Sequence, residues 1–253
     1  MSGSPLASSP LAVQRGILGA VLLMVCWEGL ARGLHLPSYV LPAVSEILAG
    51  VWSKRALLGE AAGYTVLEAL VGYGLGCLIG IGLAVAITML PPLRAVILPA
   101  ATAINSVPVV AYSPLILLWF GIGVASKVVM VAMAVSFTVF LSTLAGLDRV
   151  DRRAIDLLRS FGAGRLNILW RVRLPTALPL LLAGMRVSTV RSVIVAIVTE
   201  MLGAYGGLGW VIYQAVMQID FVQVWSAIFV ASASSLTFFG VISFFERRIL
   251  FWT

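Results

Sequence analysis

Charged side chains inside apolar segments are the residues of this sequence best placed to do chemistry. Five of them fall within long hydrophobic runs: Glu28, Glu68, Arg186, Arg191 and Glu200. An ionised group at membrane depth is costly, so it marks a solute or ion pathway or is paired with an opposite charge. Arg186 and Arg191 therefore either face a pathway and attract an anion, or form a structural network with Glu68 or Glu28.

Residues for catalysis, metal binding or nucleotide binding do not form a recognisable pattern. The chain has one histidine, His35, and two cysteines, which are far apart, so a metal site has nothing to build on. No Ser-His-Asp, paired-carboxylate or Cys-His arrangement appears. The Gly-x-Gly-x-x-x-Lys stretch at 121–127 lacks the strand that a phosphate loop requires. We therefore expect no catalytic residue, metal or cofactor in this chain.

The composition predicts an all-α, polytopic membrane protein. The mean hydropathy is +1.07 and 11% of residues are charged, against about 25% in soluble domains. A spanning helix needs about 20 apolar residues, and the runs lack the alternation of a barrel strand. Residues 1–15 are predicted to be a flexible tail and 16–253 one transmembrane domain. Six spans are predicted near 16–34, 64–90, 98–120, 125–147, 176–202 and 223–245.

The third predicted span, 98–120, is the least regular. It contains Asn105, Pro108, Ser113 and Pro114, and proline removes backbone hydrogen bonds. Irregular backbone survives at membrane depth only where protein or a water-filled cavity covers it. We therefore expect this span inside the bundle near the translocation path, with Asn105 and Ser113 as candidate pathway residues.

The distribution of basic residues predicts the orientation. With the N-terminus in the cytoplasm, eleven of the seventeen Lys and Arg residues fall on the inner side and four on the outer side. The positive-inside rule then places both termini and the arginine-rich loop at 148–175 in the cytoplasm. Topology thus accounts for the net charge of +7, and no nucleic-acid partner is expected.

The polar segment 151–175 predicts a two-helix elbow. Acidic residues at 148, 151 and 156 suit the start of a helix, and Ile155, Leu158 and Phe161 form an apolar stripe at helical spacing. Gly162 fits a left-handed C-terminal cap. A second short helix, 166–172, is expected to stop before Pro175. A loop that only fixed topology would need neither the stripe nor the Gly-to-Pro spacing.

The same segment resembles the cytoplasmic coupling loop of ATP-driven importer permeases. The family pattern is Glu-Ala-Ala, three residues, Gly, nine residues, then Ile-x-Leu-Pro. Gly162 and Pro175 stand at its Gly and Pro, and Val172 stands at its Ile. Asp156-Leu157-Leu158 replaces Glu-Ala-Ala, and these leucines demand a wider groove on the ATPase than alanines do.

Three further stretches extend the resemblance over nearly the whole chain. PLILLWFGIGVASK, LPTALPLLLAGMR and GGLGWVIYQA, at 114–127, 174–186 and 206–215, are similar to segments of the permeases for nitrate, sulfonates, taurine, bicarbonate and pyrimidine or flavin precursors. Together these motifs identify a type I importer permease of the bacterial inner membrane.

The resemblance implies partners and a transport role. Such a permease works with a second permease copy, two cytoplasmic ATPases that hold the ATP and Mg, and an external solute-binding protein. The transported solute would be a small organic or oxyanionic molecule. Docking on the ATPase would fall to the residues at the family's loop positions: Asp156, Leu157, Leu158, Phe161, Gly162, Ala163 and Pro175.

Two other classes of protein compete with this interpretation. An ion-coupled secondary carrier would use Glu68, Arg186 and Glu200 as a relay. It does not account for the elbow, and six spans without an evident repeat fit it poorly. An intramembrane enzyme is disfavoured because no catalytic arrangement appears.

Overall fold

A computed structural model describes residues 10–35 and 37–249, and these fold into helices without a strand among them. Their order follows the predicted spans, with short helices in the connections. The helices are α1 (Pro10–Gly33), α2 (Val44–Ser53), α3 (Arg55–Met89), α4 (Arg94–Ser106), α5 (Val109–Phe120), α6 (Val124–Leu147), α7 (Arg152–Ser160), α8 (Arg165–Ile168), α9 (Leu174–Leu202), α10 (Leu208–Met217) and α11 (Phe221–Ile249).

The long helices are those of a multi-pass membrane protein. Within the described residues, five helices are long and apolar enough to cross a membrane, and counting one bent pair as a single span gives six. The predicted all-α membrane fold is confirmed. The helix α1 begins at Pro10, so the predicted flexible tail, 1–15, is wrong for residues 10–15. Residues 1–9 of that predicted tail lie outside the described part of the chain.

The bent pair corresponds to the irregular third span. The α4 segment ends at Ser106, α5 begins at Val109, and the two are bent by 98°. Pro108 is the N-cap residue of α5, with φ of −58° and ψ of 138°, a position where its missing N–H costs no hydrogen bond within the helix. The sequence therefore predicted the site of the irregularity, whereas the structure shows a sharp break there.

The centre of the bundle consists of α3, α6 and α9, which share the most extensive contacts. Glycines at every fourth residue of α3 face α6: Gly72, Gly76 and Gly80. A Cβ at Gly72 would lie 2.6 Å from the Val131 Cβ, so only glycine permits this approach. Small residues at this spacing let membrane helices pack closely, because van der Waals contact is their main attraction.

The two ends of the bundle differ in character. One end, the arginine-rich end, joins α3 to α4 and α6 to α7, with an ion pair of 2.8 Å between Arg94 and Asp148. At the opposite end, Lys54 pairs with Asp220 at 2.7 Å. The hydrogen bond from Lys54 holds the pKa of the Asp220 carboxyl below its ordinary value. These pairs tie the connections to the bundle at both ends.

Candidate functional site

The first helix of the elbow at the arginine-rich end, α7, has a cap at each end. The Asp151 side chain accepts a hydrogen bond of 2.9 Å from the Arg153 N–H, which satisfies a free donor of α7. At the other end of α7, Gly162 has φ of +81°. The Gly162 and Ala163 N–H groups donate to the Arg159 and Leu158 carbonyls at 2.9 and 3.0 Å. This is a Schellman motif, so the predicted left-handed cap at Gly162 is confirmed.

The predicted apolar stripe divides between two surfaces. Ile155 is buried, and Leu158 is half-buried, so these residues anchor α7 to the bundle. Phe161 is 80% exposed, and its neighbour one turn earlier is Leu157, at 58%. The expectation that Ile155 shares a face with Phe161 is therefore wrong, because the bundle takes up the Ile155 side of α7.

Exposed apolar side chains are also present in the second half of the elbow. Leu166 and Trp170 are 65% and 68% exposed, and arginines surround them in the sequence. We call Leu157, Phe161, Leu166 and Trp170 the elbow patch. Large apolar side chains exposed together, with a polar rim, mark an interaction surface.

The second half of the elbow does not stop before Pro175, contrary to expectation. The α8 segment passes through one π-helical stretch, Leu169–Arg173, directly into α9. Pro175 lies in the first turn of α9, where its missing N–H does least harm because the wider π turn shifts the bonding pattern. The elbow is therefore continuous with a membrane-spanning helix.

Arg186 is paired, but not with the partners that the sequence predicted. Its guanidinium lies 3.1 Å from a Glu246 carboxylate oxygen of α11. Glu28 instead pairs with Arg32 at 2.6 Å and accepts a hydrogen bond from Ser45. Glu68 adjoins Glu200. Glu200 is about 21 Å from Arg186 along α9, at 1.5 Å per residue. The proposed pairs with Glu68 and Glu28 are therefore wrong.

Replacing Arg186 or Glu246 by alanine is expected to lower the melting temperature of the purified chain. Glu246 is nearly buried, so loss of Arg186 leaves it without a counter-charge. The double substitution should cost less than the sum of the single ones, with a coupling of about 0.5–3 kcal/mol. Arg186→Ala combined with Glu68→Ala is the control and should be additive. Coupling in the control alone would contradict the assignment.

Arg191 and Asn105, two predicted pathway residues, meet where α9 faces α4. The Arg191 guanidinium donates to the Asn105 Oδ1 at 3.2 Å and to the Thr138 Oγ1 at 3.1 Å. Arg191 and Asn105 border a cavity of about 250 Å³ at the break between α4 and α5. Its lining includes Ile104, Asn105, Tyr112, Met133, Phe137 and Arg191. Ser113 lies elsewhere, buried, and donates to the Val110 carbonyl at 2.9 Å.

A second polar cluster lies near the opposite end of the bundle. The Glu200 carboxylate accepts hydrogen bonds of 2.7 Å from the Thr65 hydroxyl and from the Gly209 N–H. The buried Lys127 ammonium donates to the carbonyls of Ile122 and Gly203. Glu68 and Glu200 both act on this ammonium electrostatically. We call Thr65, Glu68, Lys127 and Glu200 the buried cluster, and it joins α3, α6, α9 and α10.

The Gly-Gly-Leu-Gly stretch before α10 packs against the buried cluster. Gly207 has φ of +97°, and a Cβ there would overlap the Glu200 carboxylate. A Cβ on Gly209 would overlap the carbonyl of Ile197. Gly207 and Gly209 are thus required because α9 approaches their backbone closely. The sequence contains the glycine motif but does not show what the glycines contact.

Gly209→Ala is expected to destabilise the chain by about 1–3 kcal/mol, as overpacking does. The methyl group would push α10 away from α9 and break the hydrogen bond between the Gly209 N–H and Glu200. Thermal unfolding of the purified chain measures this loss. Gly82→Ala is the matched control, because a Cβ there meets nothing within 4 Å. Equal melting temperatures for the two variants would contradict the packing argument.

Several residues of these sites escaped the sequence analysis. Lys127 was counted as a charge outside the membrane, yet it is fully buried. Glu246 lies near the end of α11, and Thr65 and Thr138 are ordinary apolar-segment threonines. Their roles depend on which helices meet: Glu246 requires the packing of α11 against α9, and the others require the packing of α3 or α6 against α9.

The helix bundle, its broken third span and its elbow define the transmembrane subunit of an ATP-driven importer. Residues 76–251 match the family of binding-protein-dependent transport system inner membrane components. The chain belongs to this family. As in other permeases of its kind, the ATPase is a separate partner subunit.

Individual relatives agree with the family. The chain is 30% identical to the formylaminopyrimidine transport permease protein ThiX of Halalkalibacterium halodurans, over 92% of this chain and 93% of that one. It is 31% identical to the taurine transport system permease protein TauC of Escherichia coli, over 78% and 74% of the two chains. A solved structure of the MetNI methionine ABC transporter, in an inward-facing conformation, superposes with a TM-score of 0.61 at 22% identity. It covers 78% of this chain and 96% of that one. The predicted type I importer permease fold is confirmed.

Proposed function

We propose that the chain forms the pathway by which a small organic solute enters the bacterial cytoplasm. Two copies of the permease pair with two cytoplasmic ATPases and receive solute from an external binding protein. Relatives whose names specify taurine and formylaminopyrimidine support a small organic or oxyanionic solute. The chain itself carries out no catalysis, and ATP and Mg belong to the ATPase.

The observation that carries this proposal is the elbow patch. Four large apolar side chains of the elbow are exposed among arginines, two of them at the end of the capped helix α7, and α8 continues through the π turn into α9. Asp156, Leu157, Leu158, Phe161, Gly162, Ala163 and Pro175 are the proposed coupling residues. Phe161 and Leu157 enter the ATPase groove, and Gly162 fixes the angle at which they do so.

Orientation follows from the same arrangement. An elbow that docks on a cytoplasmic ATPase must lie in the cytoplasm, and the excess of arginine at that end of the bundle supports this. Both termini would then be cytoplasmic. The opposite end, with α2 and α10, would face the external binding protein.

Reconstitution into proteoliposomes tests the proposed function. The chain, with its cognate ATPase and binding protein, should take up solute only when ATP is present on the ATPase side. Uptake should persist when ionophores collapse all ion gradients. The purified chain alone should hydrolyse no ATP. Uptake by the chain alone, driven by an ion gradient, would instead establish an ion-coupled carrier.

A further inference from the structure

Arg191 carries a charge that the described part of the chain does not neutralise. Its guanidinium donates only to the neutral oxygens of Asn105 and Thr138. Among the described residues it forms no ion pair, whereas Arg186 on the same helix pairs with Glu246. An arginine at the centre of a membrane helix is energetically costly. Such a cation is retained where a negative charge can reach it.

The cavity beside Arg191 has the size and lining for a small amphiphilic molecule. Its volume is about 250 Å³. Drug-sized ligands occupy about 300–1,000 Å³, so the cavity suits something smaller. Tyr112, Met133 and Phe137 supply apolar wall, and Ile104 and Val107 at the helix break are exposed and leave an opening.

The charge in the cavity lining is positive. No Asp or Glu lines it within the part of the chain that the structure describes. Pro108 and Val109, which cap and begin α5, are also in the lining. The positive end of the α5 dipole therefore adds to the arginine charge. A neutral solute gains nothing from this arrangement, whereas an anion does.

We propose that this cavity is a transit site for a small organic anion with a carboxylate or sulfonate head and a short apolar body. The planar guanidinium has five N–H donors. Asn105 and Thr138 engage two of its nitrogens and fix its plane, and the remaining donors bind the oxyanion. The apolar walls hold the body of the solute. This inference rests on the proposed function, because a transit site presupposes that the chain conducts a solute.

The test measures anion binding to the assembled permease–ATPase complex in phosphatidylcholine nanodiscs without nucleotide. The probes are propane-1-sulfonate and the uncharged methyl propyl sulfone of similar size. The wild-type complex should bind the sulfonate at least about tenfold more tightly, as expected for a charge-assisted contact worth about 1.4 kcal/mol or more. Arg191→Ala should abolish the preference. Arg191→Lys should retain part of it, because the charge remains and the planar fork is lost.

Controls separate this role from a structural one. Arg186→Lys keeps the pair with Glu246 and should bind like wild type. Ala101→Leu places a larger side chain in the cavity lining and leaves Arg191, Asn105 and Thr138 unchanged. It should weaken sulfonate binding, which decides the question if Arg191→Ala does not assemble. Nanodiscs with phosphatidylglycerol test whether a lipid headgroup is the anion. Loss of sulfonate binding in them would overturn the proposal of a solute site.

The outcomes distinguish this inference from the proposed function. Equal binding of the two probes by wild type would overturn the inference, as would unchanged preference in Arg191→Ala. ATP-driven uptake is measured in parallel on the same complexes. A wild-type complex that transports no solute refutes the proposed function itself. A transporting complex in which the Arg191 and Ala101 variants behave like wild type refutes only the anion site.

Discussion

Glu200→Ala is expected to abolish most of the folded permease. The side chain is fully buried, and its carboxylate holds Thr65 of α3 and the Gly209 N–H of α10. Removing it leaves the Lys127 ammonium short of negative charge inside the bundle. Removing Glu200 also leaves the buried Thr65 hydroxyl and the Gly209 N–H without their acceptor. Each buried donor left unpaired costs about 1–3 kcal/mol, against a total stability of about 5–15 kcal/mol for most proteins. The yield of monodisperse protein and its melting temperature measure the loss.

Two further variants test the cause of that loss. Glu60→Ala removes the same group from an exposed position of α3 and should leave the melting temperature unchanged. Lys127→Met combined with Glu200→Gln removes both charges at nearly constant shape, so it should be less harmful than the sum of the single changes. A double variant as damaged as that sum would show that the charges do not interact.

Phe161→Asp is expected to separate the permease from its ATPase without unfolding it. The side chain is 80% exposed, so the chain loses little packing on substitution. If the elbow patch docks on the ATPase as proposed, a buried aromatic anchor is worth about 2 kcal/mol or more, which corresponds to roughly 30-fold weaker binding. Affinity of the purified chain for the ATPase, and ATP-driven uptake, should fall together.

The matched control for this prediction is Asn167→Asp. This substitution adds the same charge at an exposed position of the elbow that is outside the patch. Aspartate is also close in shape to the asparagine that it replaces. It should keep ATPase binding. The proposed docking role is wrong if Phe161→Asp retains the ATPase at the wild-type ratio, or if Asn167→Asp loses it equally.

The type of fold and the position of the elbow were determined by the sequence alone. Long apolar runs are local signals, because a membrane helix satisfies its own backbone and needs about 20 apolar residues wherever it packs. The cap at Gly162 and the break at Pro108 are local as well. The left-handed cap is found at Gly162 as expected. The break falls within the span predicted to be irregular, at Pro108, whereas Pro114 of the same span lies inside α5.

The partners of the buried charges were decided only by the tertiary structure. Arg186 pairs with Glu246, and Lys127 serves the cluster around Glu200, because α11 and α6 pack against α9 in a particular register. A hydrophobic run specifies that a helix crosses the membrane but not which neighbour it meets. That choice rests on small residues such as Gly72, whose close approach to α6 sets the depth of every side chain on α3. The exposed face of the elbow likewise depends on which side of α7 the bundle buries. The bundle buries Ile155, so Leu157 is the residue exposed beside Phe161.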